Sequence, residues 1–341
     1  MRRLAEFTTF RLGGPIGDYY ALTGREEVLA FFRDAPPETL VLGGGSNLVP
    51  ADDGYPGAVA HLRTTGIQID DAGGGHALVT AEAGEPWDAF VQATLEAGLS
   101  GLEALSGIPG SVGATPIQNV GAYGAEVAQT IERVEVLDRA TGQLQRLSAA
   151  ECGFGYRDSR FKRAAQGTGS TPQIVLAVTF RLPASPLSAP VAYVELARAL
   201  GVQPGERAEA AQVREAVLSL RRGKGMVLDA ADHDSWSAGS FFTNPVVEAA
   251  QVPEDAVAFG QPDGRMKVSA AWLIAHAGFE KGYRLPGSRA ALSSKHTLAL
   301  TNRGDATTEE VLELARTVRA GVRERFGITL VPEPQLIRCA L

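Results

Sequence analysis

The sequence predicts an α+β fold spread over more than one domain, and three observations lead there. The chain has 341 residues, more than a single hydrophobic core usually organises. Helical and alternating patterns are mixed, without the strict strand-helix-strand alternation of a doubly wound sheet. No GxGxxG fingerprint follows a first strand, so a dinucleotide fold of that kind is not expected.

The elements follow in order. Residues 25–33 read as a short helix, with Val28, Leu29 and Phe32 on one face and the Pro-Pro pair at 36 and 37 as its stop. "TLVLGGGSN" is a buried strand running into a glycine turn, and "HALVTAEAG" (76–84) alternates as a second strand. "EPWDAFVQATLEAGL" is an amphipathic helix with Pro86 in its first turn, a stripe of Trp87, Phe90, Val91, Thr94 and Leu95, and Gly98 at its end. From 131, "IERVEVLDRATGQLQRLSA" gives two alternating runs around a turn, and "QIVLAVTFRL" (173–182) a further strand. Prolines and glycines between 184 and 207 predict a linker, "AAQVREAVLSLRR" a helix, and the change of pattern a domain boundary near 220. The clearest helix is "TTEEVLELARTVRAGVRERFG", with a Thr307/Glu310 capping box, a stripe of Val311, Leu314, Val318 and Val322, and Gly327 as its stop.

Composition narrows the function classes. A net charge of −7 disfavours a sequence-independent grip on phosphate backbones, so nucleic acid is not an expected partner. Cys152 and Cys339 form no metal-ligand spacing and suggest a reducing compartment. No signal-like h-region follows "MRRLAEFTTF" and no apolar run reaches bilayer length, so a cytoplasmic protein is expected. The five histidines make no HExxH, which leaves a zinc hydrolase without support and no metal expected.

Two glycine-dense loops stand out, "GGGSN" (43–47) and "SGIPGSVGATPIQNVGAYG" (106–124). Glycine lets backbone amides approach a ligand, so such loops can form nests for a pyrophosphate, with Ser46, Asn47 and Ser111 as added donors; for "GGGSN" alone tight turns are the plainer reading, while the second loop gives up too much backbone order to be a turn for shape alone. "FGYRDSRFK" (154–162) offers Arg157, whose planar fork suits a carboxylate or enolate oxygen, or else a solvated charge cluster with a local ion pair. "VPEP" (331–334) holds Glu333 between prolines on a stiff extended segment, which either presents a carboxylate to a cleft or merely ends an edge strand. "SAGSFFTNP" (237–245) lacks the GxSxG elbow, so Ser240 is disfavoured as a nucleophile and remains a candidate proton donor or cap.

Taken together, "TTFRLGGP", "GGGSN", "GIPGSVGATPIQNVGAYG", "GYRDSRFK", "SAGSFFTNPVV" and "PEPQLI", in that order from about residue 7 to 338, resemble the UDP-N-acetylenolpyruvoylglucosamine reductases, flavoenzymes of peptidoglycan synthesis. The resemblance implies a vanillyl-alcohol-oxidase-type pair of FAD-binding subdomains, at 1–63 with 326–341 and at 64–220, and a smaller α+β substrate domain at 221–325. It implies bound FAD, NADPH as co-substrate and UDP-N-acetylglucosamine enolpyruvate as substrate, in a monomer. FAD contacts are expected at Gly43, Gly44, Gly45, Ser46, Asn47, Pro109, Gly110, Ser111, Gly113, Ala114, Ile117 and Gly121. Substrate contacts are expected at Tyr123, Lys224, Asn244 and Tyr193, the last on a mobile loop of the type I branch.

Hydride delivered to the substrate's vinyl carbon leaves an anionic enolate. By position, Arg157 and Glu333 match the family's residues for polarising the substrate carboxylate and enol, and Ser240 matches its proton donor, so the resemblance implies those roles here. Near another carboxylate and away from water, Glu333 is expected to hold a proton itself. The stretch between Lys224 and Ser240, containing "VLDAADHDSW", and the residues Lys295 and His296 have no assignable contacts in the sequence. Two other readings stand against this one: an FAD-dependent oxidase of a small alcohol, and a nucleotide-binding regulatory module without turnover.

Overall fold

The computed structural model describes residues 1–165 and 172–341. The chain divides into two compact units and crosses between them repeatedly: residues 1–16, 45–55 and 223–341 make the first, and residues 17–44 and 56–222 the second.

The second unit is built on a five-stranded antiparallel sheet in the order Leu144–Ser148, Ile131–Asp138, Gln173–Pro183, His76–Glu82, Ile67–Gly73. Gln173–Pro183 sits at its centre and is buried along almost its whole length, as the unbroken apolar run "IVLAVTF" requires. The helix Trp87–Glu96 covers the sheet with the expected stripe; Trp87, Phe90 and Phe180 meet with ring centroids 5.1 to 5.9 Å apart. Pro86 is the N-cap of that helix rather than part of its first turn. A short parallel pair, Leu40–Leu42 beside Tyr55–Leu62, ends at the first glycine loop.

The stretch 184–207, expected as a linker, contains the helix Val194–Leu200, a correction with a plain cause. After Pro190 the run "VELARAL" is made of good helix formers, Leu196 and Ala197 bury against Val213 and Val217, and Gly201 closes the helix at φ 71°. Tyr193 is the N-cap residue of this helix. The helix Ala210–Gly223 follows as predicted.

The first unit packs its core around the helix Thr308–Phe326. Val311, Leu314, Val318 and Val322 are all fully buried, beside Phe241, Phe242 and the hairpin Ala290–Leu292 with Leu300–Asn302. Thr307 caps this helix, and both oxygens of Asp52 accept its first amides, from Thr308 at 2.8 Å and Glu309 at 3.1 Å. Gln335–Ile337 pairs in parallel with Leu48–Pro50, directly after the glycine loop. Among the described residues, no helix is long and apolar enough to cross a membrane, and no cluster of His, Cys, Asp and Glu could hold a metal ion.

Candidate functional site

The two glycine loops meet within the second unit. A Cβ on Gly44 would lie 2.5 Å from Gly110 Cα, a backbone atom, so that position demands glycine, whereas one on Gly43 would lie 2.6 Å from the Ser111 Oγ. Gly113 is as constrained, since its Cβ would fall 2.5 Å from that of Ala83. The peptide turns at Gly110, with φ 130°, a conformation that glycine alone adopts easily. Among the described residues, the amides of Gly44, Gly110 and Ser111 donate to no protein acceptor. The same holds in the first unit for the amides of Gly45, Ser46 and Asn47. Backbone donors are seldom left without an acceptor, and a row of them on glycine turns is a ready anion cradle. Within the second unit, the Gly44, Gly110 and Ser111 donors fit the pyrophosphate of FAD. Pro109, Ala114, Ile117 and Gly121 continue the second loop: Ala114 donates to Ser111 O at 3.1 Å, and Ile117 O accepts from the Ser159 hydroxyl at 2.7 Å.

Arg157 belongs to the second unit and has left-handed backbone, φ 52°. Its guanidinium donates to the carbonyls of Gly121 at 2.6 Å and Asn119 at 3.4 Å, while Lys162 Nζ donates to its carbonyl at 2.9 Å. The neighbouring Asp158 pairs with Arg163, which is the local ion pair expected of "FGYRDSRFK". Asn119, which the sequence reading passed over, is buried at φ 43° and donates to Gly155 O at 2.8 Å and Glu126 at 2.9 Å, tying the glycine loop to the arginine segment. Its signal in the sequence is weak, because asparagine in a turn is common.

Tyr123 meets Tyr193 edge to face, with centroids 5.5 Å apart. Burial pushes the Tyr123 phenol up to about 12, against the pull of the Arg221 guanidinium, so it is a neutral donor at working pH. Arg221 is buried, and burial draws its pKa down. One helical stretch earlier, Arg214 grips Asp88 with two bonds of 2.7 and 2.9 Å, and the Gly107 amide donates to the same carboxylate at 2.6 Å.

Ser240 and Glu333 come together in the first unit. Phe242 forms an antiparallel bridge with Pro332, Glu333 N donates to Phe241 O at 2.8 Å, and Thr243 N donates to Val331 O at 3.0 Å. The "SAGSFFTNP" and "VPEP" segments, roughly 90 residues apart in sequence, therefore lie side by side. Phe241 and Phe242 are fully buried anchors, whereas Ser240 is half-buried, and among the described residues its hydroxyl has no hydrogen-bond partner. Asn244 Oδ1 accepts the Ala270 amide at 2.9 Å. Lys224 is half-buried just past the helix Ala210–Gly223. Lys295 pairs with Asp232 at 2.6 Å.

A FAD binding domain model matches residues 25–148, and the model for the UDP-N-acetylenolpyruvoylglucosamine reductase C-terminal domain matches residues 231–337. The reductase of that name from Saccharopolyspora erythraea is 52% identical over 99% of this chain and 95% of its own length, and that from Cutibacterium acnes is 52% identical over 99% and 90%. The chain belongs to the UDP-N-acetylenolpyruvoylglucosamine reductase family. Among solved structures, the reductase of this family from Thermus caldophilus is similar at a TM-score of 0.66, with 28% identity over 98% of this chain and 97% of that one. Reductase membership accounts for an α+β chain with a FAD-binding domain and no GxGxxG loop.

Proposed function

We propose that this chain reduces UDP-N-acetylglucosamine enolpyruvate to UDP-N-acetylmuramate, with NADPH as the electron source and FAD held by the glycine loops at 43–47 and 106–124. Bound there, FAD would supply the hydride chemistry that links the nicotinamide to the vinyl carbon. The observation that supports this reading best is the backbone pairing of the Ser240 and Glu333 segments, with the Ser240 hydroxyl unbonded among the described residues.

The protein's own groups then do the following. Arg157 supplies a fixed positive charge to the substrate carboxylate, with its own orientation set by the Gly121 and Asn119 carbonyls. Glu333 polarises the enol of the substrate together with Arg157. Ser240 Oγ gives its proton to the carbon that bears the ether oxygen. Lys224 and the Asn244 amide nitrogen hold the diphosphate end, and Tyr193, edge-on to Tyr123, closes over the substrate. The functional parts are divided as 1–63 with 326–341, 64–220 and 221–325, in a cytoplasmic monomer.

An anaerobic two-step experiment tests the reading. NADPH should bleach the bound flavin, and the enolpyruvyl sugar nucleotide should restore its absorbance without oxygen. Restoration by oxygen and not by this substrate would instead favour the small-alcohol oxidase.

A further inference from the structure

Residues 225–239 connect Lys224 to Ser240 and carry Asp229, Asp232 and Asp234, none of which the proposed reaction uses. Asp234 is buried, yet its oxygens are filled by donors. Oδ1 accepts from the Ser294 amide at 2.8 Å and from Arg303 Nη1 at 2.7 Å, and Oδ2 accepts from the Ser294 hydroxyl at 2.6 Å. Burial alone would raise the pKa of this carboxyl, but the Ser294 hydroxyl and amide, Ser293 and Arg303 together hold it below the ordinary aspartate value. A carboxylate so far from water persists only when charge-assisted bonds of this kind compensate its desolvation.

All these bonds end on one piece of structure, the hairpin of Ala290–Leu292 and Leu300–Asn302 with its turn and Arg303. The same piece holds the chain on the Ser240 side. Phe241 N donates to Leu298 O at 2.8 Å, and Asn302 N donates to Trp236 O at 3.0 Å. On the Lys224 side, Gly225 packs directly on the anchor: a Cβ there would lie 2.9 Å from Asp234 O and 3.1 Å from Asp234 Cβ, at a φ of +66°. Between them, Ser237 O accepts from the Thr9 hydroxyl at 2.7 Å and Ser237 Oγ from the Gly239 amide at 3.1 Å.

We propose that Asp234 is a positioning residue for the proton-donating side of the site: its buried carboxylate locks residues 225–239 onto the 290–303 hairpin, and that lock sets where Ser240 and Lys224 stand. The inference rests on the proton-donor reading of Ser240. The Asp232–Lys295 pair bonds the same two pieces but is no such lock, because its side chains are 31% and 36% exposed and a pair so accessible to water holds weakly.

The test uses flavin-loaded protein and the variants Asp234→Asn, Ser294→Ala and Asp232→Asn, with two measurements. Amide hydrogen exchange at Gly239 and Phe241 should speed up about tenfold or more in Asp234→Asn, and less in Ser294→Ala, while exchange in the strand Gln173–Pro183 stays as in the parent. Reoxidation by the enolpyruvyl substrate should slow about tenfold in Asp234→Asn, with flavin reduction by NADPH within about twofold and Asp232→Asn within about twofold in both. Unchanged exchange at 239 and 241 in Asp234→Asn overturns the lock, as does an equal rise in both units. Should Asp234→Asn fail to fold, Ser294→Ala decides by the same exchange readout. If the parent protein itself is not reoxidised by the substrate, it is the proton-donor reading that falls, and the exchange still judges the lock.

Discussion

Ser240 is the proposed proton donor, on a segment that pairs with that of Glu333. The hydroxyl sits on a segment pinned by two buried phenylalanines, and the segment that carries Glu333 pairs with it. A positioned acid of this kind contributes about 10²- to 10⁴-fold to a rate. Ser240→Ala should therefore leave NADPH-driven flavin reduction nearly intact and slow reoxidation by the enolpyruvyl substrate by about that factor, as single-turnover absorbance would show. Equal damage to both half-reactions would make the residue structural. Glu333→Ala should likewise slow reoxidation by the enolpyruvyl substrate while leaving NADPH-driven flavin reduction nearly intact; unchanged reoxidation sinks its role at the enol. Arg157 reads differently from a generic surface cation, because its guanidinium is aimed by two carbonyls and its backbone is left-handed.

At the scale of elements, the glycine loop at 43–45 is a packing device before it is a ligand cradle. Gly44→Ala would drive a Cβ to 2.5 Å from Gly110 Cα, so the loop must shift, and FAD affinity should drop about tenfold or more by equilibrium titration of the apoprotein. The helix Ala210–Gly223 is joined to the helix Trp87–Glu96 by Arg214 and Asp88. Burial works to raise the Asp88 pKa, but the Arg214 bonds and charge and the Gly107 amide outweigh it, and the native value lies below 3.8. A lowered native pKa means that the stability from this carboxylate is fully present above about pH 4 and is lost as the pH falls through the native value. Asp88→Asn should cost about 1 kcal/mol near pH 7, at the modest end because Asp88 is 40% exposed, and should make the loss of stability on acidification shallower in urea titrations.

For the molecule as a whole, FAD and folding are coupled. A ligand that binds only the native state adds about 2.7 kcal/mol at a hundredfold excess over its Kd, so removing FAD should lower the melting temperature by several degrees, and adding it back should restore it. Much of the framework was legible in the sequence by itself: the long helix with its Thr307 cap, the helix Trp87–Glu96, the central strand Gln173–Pro183, and the order of the glycine, arginine, serine and glutamate motifs. These depend on periodicity, caps and φ demands within a few residues of each other, which a linear reading can see. The tertiary structure alone decided which distant groups became partners. It put "VPEP" against "SAGSFFTNP", Arg214 on Asp88 at a separation of 126 residues, and Ser294 and Arg303 on Asp234 at separations of 60 and 69. It also turned the proline-rich stretch before residue 207 into a helix capped at Tyr193. A buried charge can be stable only beside donors that compensate its desolvation, and which segment supplies them depends on how the chain folds back on itself, not on the residues next to it in sequence.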